Sequence, residues 1–198
     1  MVRIIAGTRK GRVLATPEGP ATRPTADRVR QALFDMLAHA PWGGAGLLAG
    51  AHVLDAFAGT GALGLEALSR GAEHATFFET ARPALAALRA NIRACGWEDR
   101  CTVIARDVTT PPRIKAEQAP ASLVFVDPPY NQTLPACAIT ALKAAGWIAP
   151  DATIVIETGR DEPLPFAQPT PDTPAPPEDP RWLAERQHGA ARLSIWRL

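Results

Sequence analysis

One stretch governs what this chain can fold into: His52-Val53-Leu54-Asp55-Ala56-Phe57-Ala58-Gly59-Thr60-Gly61-Ala62-Leu63-Gly64. It is a short apolar strand that breaks into glycines and continues as a helical pattern. From residue 52 onward the same alternation repeats. Strands are predicted at 53–54, 75–78, 101–105, 123–126 and 153–156, with helices at 62–69, 83–94 and 134–145. Alternating β and α units with continuous apolar strands predict an α/β fold, doubly wound around a parallel sheet. Residues 161–180 hold eight prolines and read as an irregular loop. Residues 182–187 and 191–197, split by His188-Gly189, read as a closing hairpin.

The first 40 residues follow a different pattern. Residues 2–6 and 12–15 are short β-branched or apolar runs and predict a small hairpin. Thr22-Arg23-Pro24-Thr25 reads as a turn, with Thr25 as N-cap of a helix over 26–38 that Pro41 closes. Residues 41–50 read as a glycine-rich linker. The expected organisation is thus a basic extension, 1–40, packed on a main domain, 51–198.

Formal net charge is only +1, but its distribution is uneven. Residues 1–30 carry Arg3, Arg9, Lys10, Arg12, Arg23, Arg28 and Arg30 against Glu18 and Asp27, a balance of +5. The remainder carries 14 basic and 18 acidic side chains. A basic arm on a mildly acidic body points to a polyanionic partner reached through the arm. A hydrophobic fraction of 46% over 198 residues is enough for one domain's core. No run approaches the ~18–20 apolar residues of a membrane span, and no signal peptide is expected. Three cysteines, Cys95, Cys101 and Cys137, without a CxxC, argue against a disulfide framework and a zinc site and for a reducing cytoplasm.

The glycine loop sits where a strand becomes a helix, so a ligand can approach the main chain beside the partial positive charge of the helix start. Gly59-x-Gly61-x-x-Gly64 has the spacing of a dinucleotide fingerprint. Glu79, 20 residues after Gly59, is placed to accept hydrogen bonds from ribose hydroxyls. This pattern allows both NAD and S-adenosylmethionine. Asp55 favours the second: a carboxylate there repels a pyrophosphate but pairs with the ammonium of a methionine moiety.

The apolar run Leu123-Val124-Phe125-Val126 ends in Asp127-Pro128-Pro129-Tyr130. Neither proline can donate to a sheet ladder, and the second stiffens the first, so the turn is rigid. It offers the Asp127 carboxylate and the Pro128 carbonyl as fixed acceptors, with the Tyr130 ring beside them. That set suits an exocyclic amine on a nucleobase, which is a poor nucleophile until two acceptors grip its N–H groups. Tyr130 would stack on the base. In the usual doubly wound order the strands at 53–55 and 123–126 are neighbours, and both loops flank one crevice at the switch point.

Across nearly its whole length the chain resembles the bacterial 16S ribosomal RNA guanine-N2 methyltransferase family. The motifs that carry this are Arg3-Ile4-Ile5-Ala6-Gly7, Lys10-Gly11-Arg12, Arg23-Pro24-Thr25-x-Asp27-Arg28-Val29-Arg30-x-Ala32-Leu33-Phe34, the stretch from Leu54 to Ala72, Glu79, Asn91, and Asp127-Pro128-Pro129-Tyr130. The resemblance implies a class I, Rossmann-like methyltransferase fold with seven strands, the last pair an antiparallel hairpin. It implies methylation of the 2-amino group of guanine 966 in 16S rRNA, in the small subunit or its assembly intermediate. Nothing in the sequence demands a dimer, so a monomer is expected, and the apolar runs give no reason to expect membrane contact. It implies that Asp55, Gly59, Gly61, Glu79 and Asp107 hold the cofactor, with Phe57, Ala58 and Thr60 between them. Asp127, Pro128, Pro129 and Tyr130 would hold the base. Arg3, Lys10, Arg12, Arg23, Arg28 and Arg30 would meet RNA. The residues alone also admit adenine N6 or cytosine N4 as acceptor, a non-catalytic RNA-binding assembly factor, or an NAD-dependent oxidoreductase. Asp107 reads equally as a loop cap, and Asn91 as structural.

Overall fold

The computed structural model describes residues 1–17, 27–129, 134–166 and 181–198. A two-stranded antiparallel hairpin, β1 (Val2–Arg3) and β2 (Val13–Leu14), precedes α1 (Asp27–His39) and the single turn α2 (Ala45–Leu48). The sheet is then built from β3 (His52–Asp55), α3 (Ala62–Ser69), β4 (His74–Phe78), α4 (Arg82–Cys95), β5 (Cys101–Ile104), β6 (Ala121–Val126), α5 (Leu134–Ala144), β7 (Ile148–Gly159), β8 (Arg181–His188) and β9 (Ala191–Arg197). Its order is β5-β4-β3-β6-β7-β9-β8. The first five strands in this order pair in parallel, and β9 runs antiparallel to both β7 and β8. The expected doubly wound sheet with a closing hairpin is therefore present, and β3 does neighbour β6.

Alternation along the strands sorts side chains onto two faces. Leu123 and Phe125 join Leu33, Phe34 and Leu37 of α1, Leu65 and Leu68 of α3, and Leu88 and Ile92 of α4 in one core. Val124 and Val126 face the other way, with Ile139 and Leu142 of α5, Trp147 and Trp196. Helix α4 shows why these segments stop where they do. Pro83 stands in its first turn, and Gly96 ends it in the left-handed region at φ +68°.

Two local expectations need correction or extension. The segment read as a glycine-rich linker contains α2, with Leu48 buried and Trp42 and Leu47 packed on the first core. Its apolar residues fasten it to the sheet's flank despite three neighbouring glycines. Strand β7 runs beyond the expected 153–156 because β9 pairs with it through Gly159. The turn at 22–25, with its Thr25 cap, and most of the proline loop lie outside the described residues. No helix among the described residues is long and apolar enough to cross a membrane.

Candidate active site

The carboxyl ends of β3 and β6 open on one cleft of about 1010 Å³, at the point where strand order reverses. That volume sits at the top of the ~300–1,000 Å³ range of ligand pockets and leaves room for a nucleoside cofactor beside a second ring. Asp55, Phe57, Ala58, Gly59, Thr60, Glu79 and Asp107 line one side. Asp127, Pro128 and Pro129 line the other. Tyr130 and Arg23 lie outside the described residues.

Asp55 is the last residue of β3 and is 1% exposed. Its Oδ2 accepts the Gly64 N–H at 3.1 Å, across the glycine loop. Burial pushes its carboxyl up to about 7; the Gly64 hydrogen bond opposes that rise, and the nearby Glu79 charge adds to it. A cation delivered to this acid would reverse the penalty of burying its charge. The donor set thus fits an ammonium group and disfavours a diphosphate.

The glycines divide into two jobs. Gly59 has φ +53° and open space where a Cβ would point, so a ligand can lie against its main chain. Gly61 and Gly64 serve packing instead. A Cβ on Gly61 would come within 2.4 Å of Leu88, and one on Gly64 within 2.3 Å of the Phe77 ring. Glu79 holds the loop in shape: Oε2 accepts the Gly59 N–H at 2.7 Å, and Oε1 accepts the Thr80 and Ala81 N–H groups, each at 2.7 Å. Three of about four lone-pair positions are occupied, which leaves Oε2 one for a ribose hydroxyl. Asp107 caps its own loop, with Oδ1 accepting from the Thr109 N–H and hydroxyl at 2.8 Å each. Those two bonds hold its carboxyl below the usual value. The loop-cap reading of this residue is thus met, and its exposed side chain also lines the cleft.

Strand register sets the opposite wall. Val126 pairs with Ile156, so Asp127, just past the end of β6, and Glu157, where β7 outruns β6, follow side by side. Both face the cleft, and Glu157 is 8% exposed. Sequence reasoning passed over Glu157; the available signal was an acid directly after the apolar run 153–156.

The basic arm is docked more firmly than its charge suggested. Glu66 of α3 is fully buried, and its two oxygens accept the Ile5 N–H at 2.7 Å and the Ala6 N–H at 3.0 Å. Arg70 Nε pairs with the same carboxylate at 2.7 Å. The Ser69 hydroxyl donates to the Ala6 carbonyl and accepts the Arg9 N–H. Gly7, at φ +81°, lies so close to α3 that a Cβ would sit 1.7 Å from the Ser69 carbonyl oxygen. Asn91 of α4, buried, binds both the arm and the glycine loop.

Of the expected RNA contacts, Lys10, Arg12 and Arg28 are exposed and make no ion pair among the described residues. Arg3 is exposed but paired with Asp27 at 3.0 Å. Arg30 departs from expectation: it is 1% exposed, donates to the Arg3 carbonyl and Asp27, and presents no charge to a polyanion. Its place on the buried stripe Arg30, Leu33, Phe34, Leu37 is the reason.

Comparison with known proteins agrees with this architecture. The family model described as "Conserved hypothetical protein 95" matches residues 2–170. The chain is 38% identical over 164 residues to the ribosomal RNA small subunit methyltransferase D of Escherichia coli K12, covering 83% of this chain and 78% of that one. It is 37% identical over 165 residues to the protein of the same name from Haemophilus influenzae, covering 82% and 81%. Among solved structures, the Escherichia coli methyltransferase candidate yhhF superposes with a TM-score of 0.77 at 31% identity, covering 99% and 97% of the two chains. The methylase candidate HI0767 of Haemophilus influenzae gives 0.74 at 30% identity, with the same coverage. The sheet is thus the Rossmann-like sheet of class I methyltransferases, and the chain belongs to the Conserved hypothetical protein 95 family, that of the small-subunit methyltransferase D proteins.

Proposed function

We propose that this methyltransferase moves a methyl group from S-adenosylmethionine to the exocyclic N2 of a guanine in small-subunit rRNA, of the guanine 966 type. The observation that carries the reading is the juxtaposition on adjacent strands of a buried acid suited to an ammonium and a rigid Asp-Pro-Pro turn suited to an amine. The names of the relatives supply the rRNA substrate class.

When bound, the cofactor supplies an electrophilic methyl group on a sulfonium. Asp55 would take its ammonium, Glu79 its ribose, and Asp107 the adenine amino group, with the Gly59 main chain against the middle of the molecule. The Asp127 carboxylate and the Pro128 carbonyl would accept the two N–H groups of the target amine. Their pull draws the nitrogen toward tetrahedral geometry and offsets the positive charge that grows on it during attack. Stacking by Tyr130 would hold the ring, and in-line placement supplies the rest of the acceleration. The nitrogen's proton becomes acidic once the new bond forms and can leave to water. A guanine inside a helix is out of reach, so the target is an unpaired or extruded base. Lys10, Arg12 and Arg28 are the arm residues we assign to RNA phosphates.

The test is incubation with tritiated S-adenosylmethionine and small subunits from a strain lacking the gene, followed by nucleoside analysis. Label is expected in N2-methylguanosine. Label in N6-methyladenosine or N4-methylcytidine, or none, rejects the reading. Asp127→Ala should cut turnover about 10²–10³-fold while cofactor binding and thermal unfolding stay near wild type.

A further inference from the structure

Asn91 is 2% exposed and lies on the buried side of α4. Its side-chain amide serves two separate segments. Oδ1 accepts the Ala15 N–H at 2.7 Å, and Nδ2 donates to the Ala15 carbonyl at 3.1 Å. The same Nδ2 donates to the Thr60 carbonyl at 3.0 Å. One amide therefore grips both main-chain groups of an arm residue, as a neighbouring strand would, and spends its other hydrogen on the loop between Gly59 and Gly61. Thr60 and the next arm residue, Thr16, line the same cleft.

Mobility in one segment is therefore felt by the other. Ala15 is exposed, so water can replace Asn91 there at small cost if the arm lifts. The Thr60 carbonyl would then lose a donor whose orientation Ala15 had fixed. A ligand that fixes the glycine loop fixes that carbonyl, hence the Asn91 rotamer, hence Ala15. Coupling of this kind is reciprocal: whatever the cofactor adds to arm docking, an anion held by the arm returns to cofactor affinity by the same factor.

We infer that Asn91 is a positioning residue that links docking of the basic arm to binding in the cofactor loop. The inference rests on the cofactor reading of the cleft, and its test separates the two. In the ligand-free protein, Ala15→Pro replaces the N–H that Asn91 accepts with a ring carbon, which pushes Oδ1 off the arm while every residue of the loop stays unchanged. Leu14 ends a strand, a conformation compatible with a following proline. Hydrogen exchange at the Gly59 and Gly61 amides should then speed up by about fivefold, the net worth of one ordinary hydrogen bond. Adenosylhomocysteine titrated by calorimetry should bind wild-type protein and protect the amides of residues 13–16. Asn91→Ala should weaken that binding about five- to tenfold, and the ligand should no longer protect residues 13–16. The double variant should be little weaker than either single one. Additive losses, retained protection in Asn91→Ala, or unchanged exchange at Gly59 and Gly61 in Ala15→Pro would overturn the link. Should Asn91→Ala not fold, the Ala15→Pro exchange result decides alone. Failure of wild-type protein to bind adenosylhomocysteine would instead sink the cofactor reading, with the ligand-free exchange experiment still deciding the coupling.

Discussion

Two carboxylates in this molecule do the same local job in opposite surroundings. Glu79 gathers the main-chain N–H groups of Gly59, Thr80 and Ala81. Glu66 gathers those of Ile5 and Ala6. Glu79 lines an open cleft, whereas Glu66 is 0% exposed and closed over by the arm and Arg70. Gripping backbone amides therefore does not mark a functional acid by itself. What separates the two is access: the acid with a lone pair turned to solvent can exchange partners, and the sealed one can only hold.

The contrast breaks or sharpens under substitution. The largest effect is expected at the sealed site. Glu66→Ala removes the acid that faces buried Arg30, takes one partner from Arg70 and leaves two half-buried amides without their acceptor, and should cost about 3–5 kcal/mol of stability, read as a fall in thermal midpoint. Glu79→Gln turns an amide donor toward backbone donors and should weaken cofactor binding by about tenfold or more with a much smaller change in midpoint. If Glu79→Gln lowered the midpoint as far as Glu66→Ala, the two acids would be equivalent and the distinction would fail.

Asp55 supplies the next largest effect, through pH. Its folded value of about 7 lies above the ordinary 3.8, so the folded chain holds this proton more tightly than the unfolded one. Its contribution to stability is therefore full below about pH 4 and is lost as pH rises toward 7. A cationic ligand prefers the ionised acid, so affinity should climb by up to about tenfold per pH unit below 7 and then level. Asp55→Asn should flatten both curves; an unaltered affinity profile would take Asp55 out of the ligand's reach. The smallest effect is expected on the arm. Arg12→Glu and Arg28→Glu should weaken RNA binding, each lost phosphate contact reducing the log–log salt slope by about 0.7–0.9. An unchanged slope would move RNA docking to another face.

Most of the sheet was legible because its signals are local. The apolar runs, the glycine loop and the double proline each announce a strand end, and neighbouring placement of β3 and β6 follows from winding rules. The arm's anchorage was not legible, because it depends on pairs some 60 residues apart. Nothing near Glu66 says that Ile5 will reach it. Helical spacing could have found Arg30, since positions 30, 33, 34 and 37 form one stripe, but its charge drew it to the surface in a reading weighted by composition. Glu157 was missed for the converse reason: an acid after an apolar strand gains meaning only beside Asp127.

The arm is seized by its peptide groups: the amides of Ile5, Ala6, Arg9 and Ala15, and the carbonyls of Ala6 and Ala15. Such a grip is blind to the identity of most side chains it carries. Thr8, Lys10, Arg12 and Val13 all project outward. Randomising those four positions would change the chemistry that the arm shows to solvent while leaving its mooring intact, which makes the segment a frame on which exposed side chains can be exchanged freely.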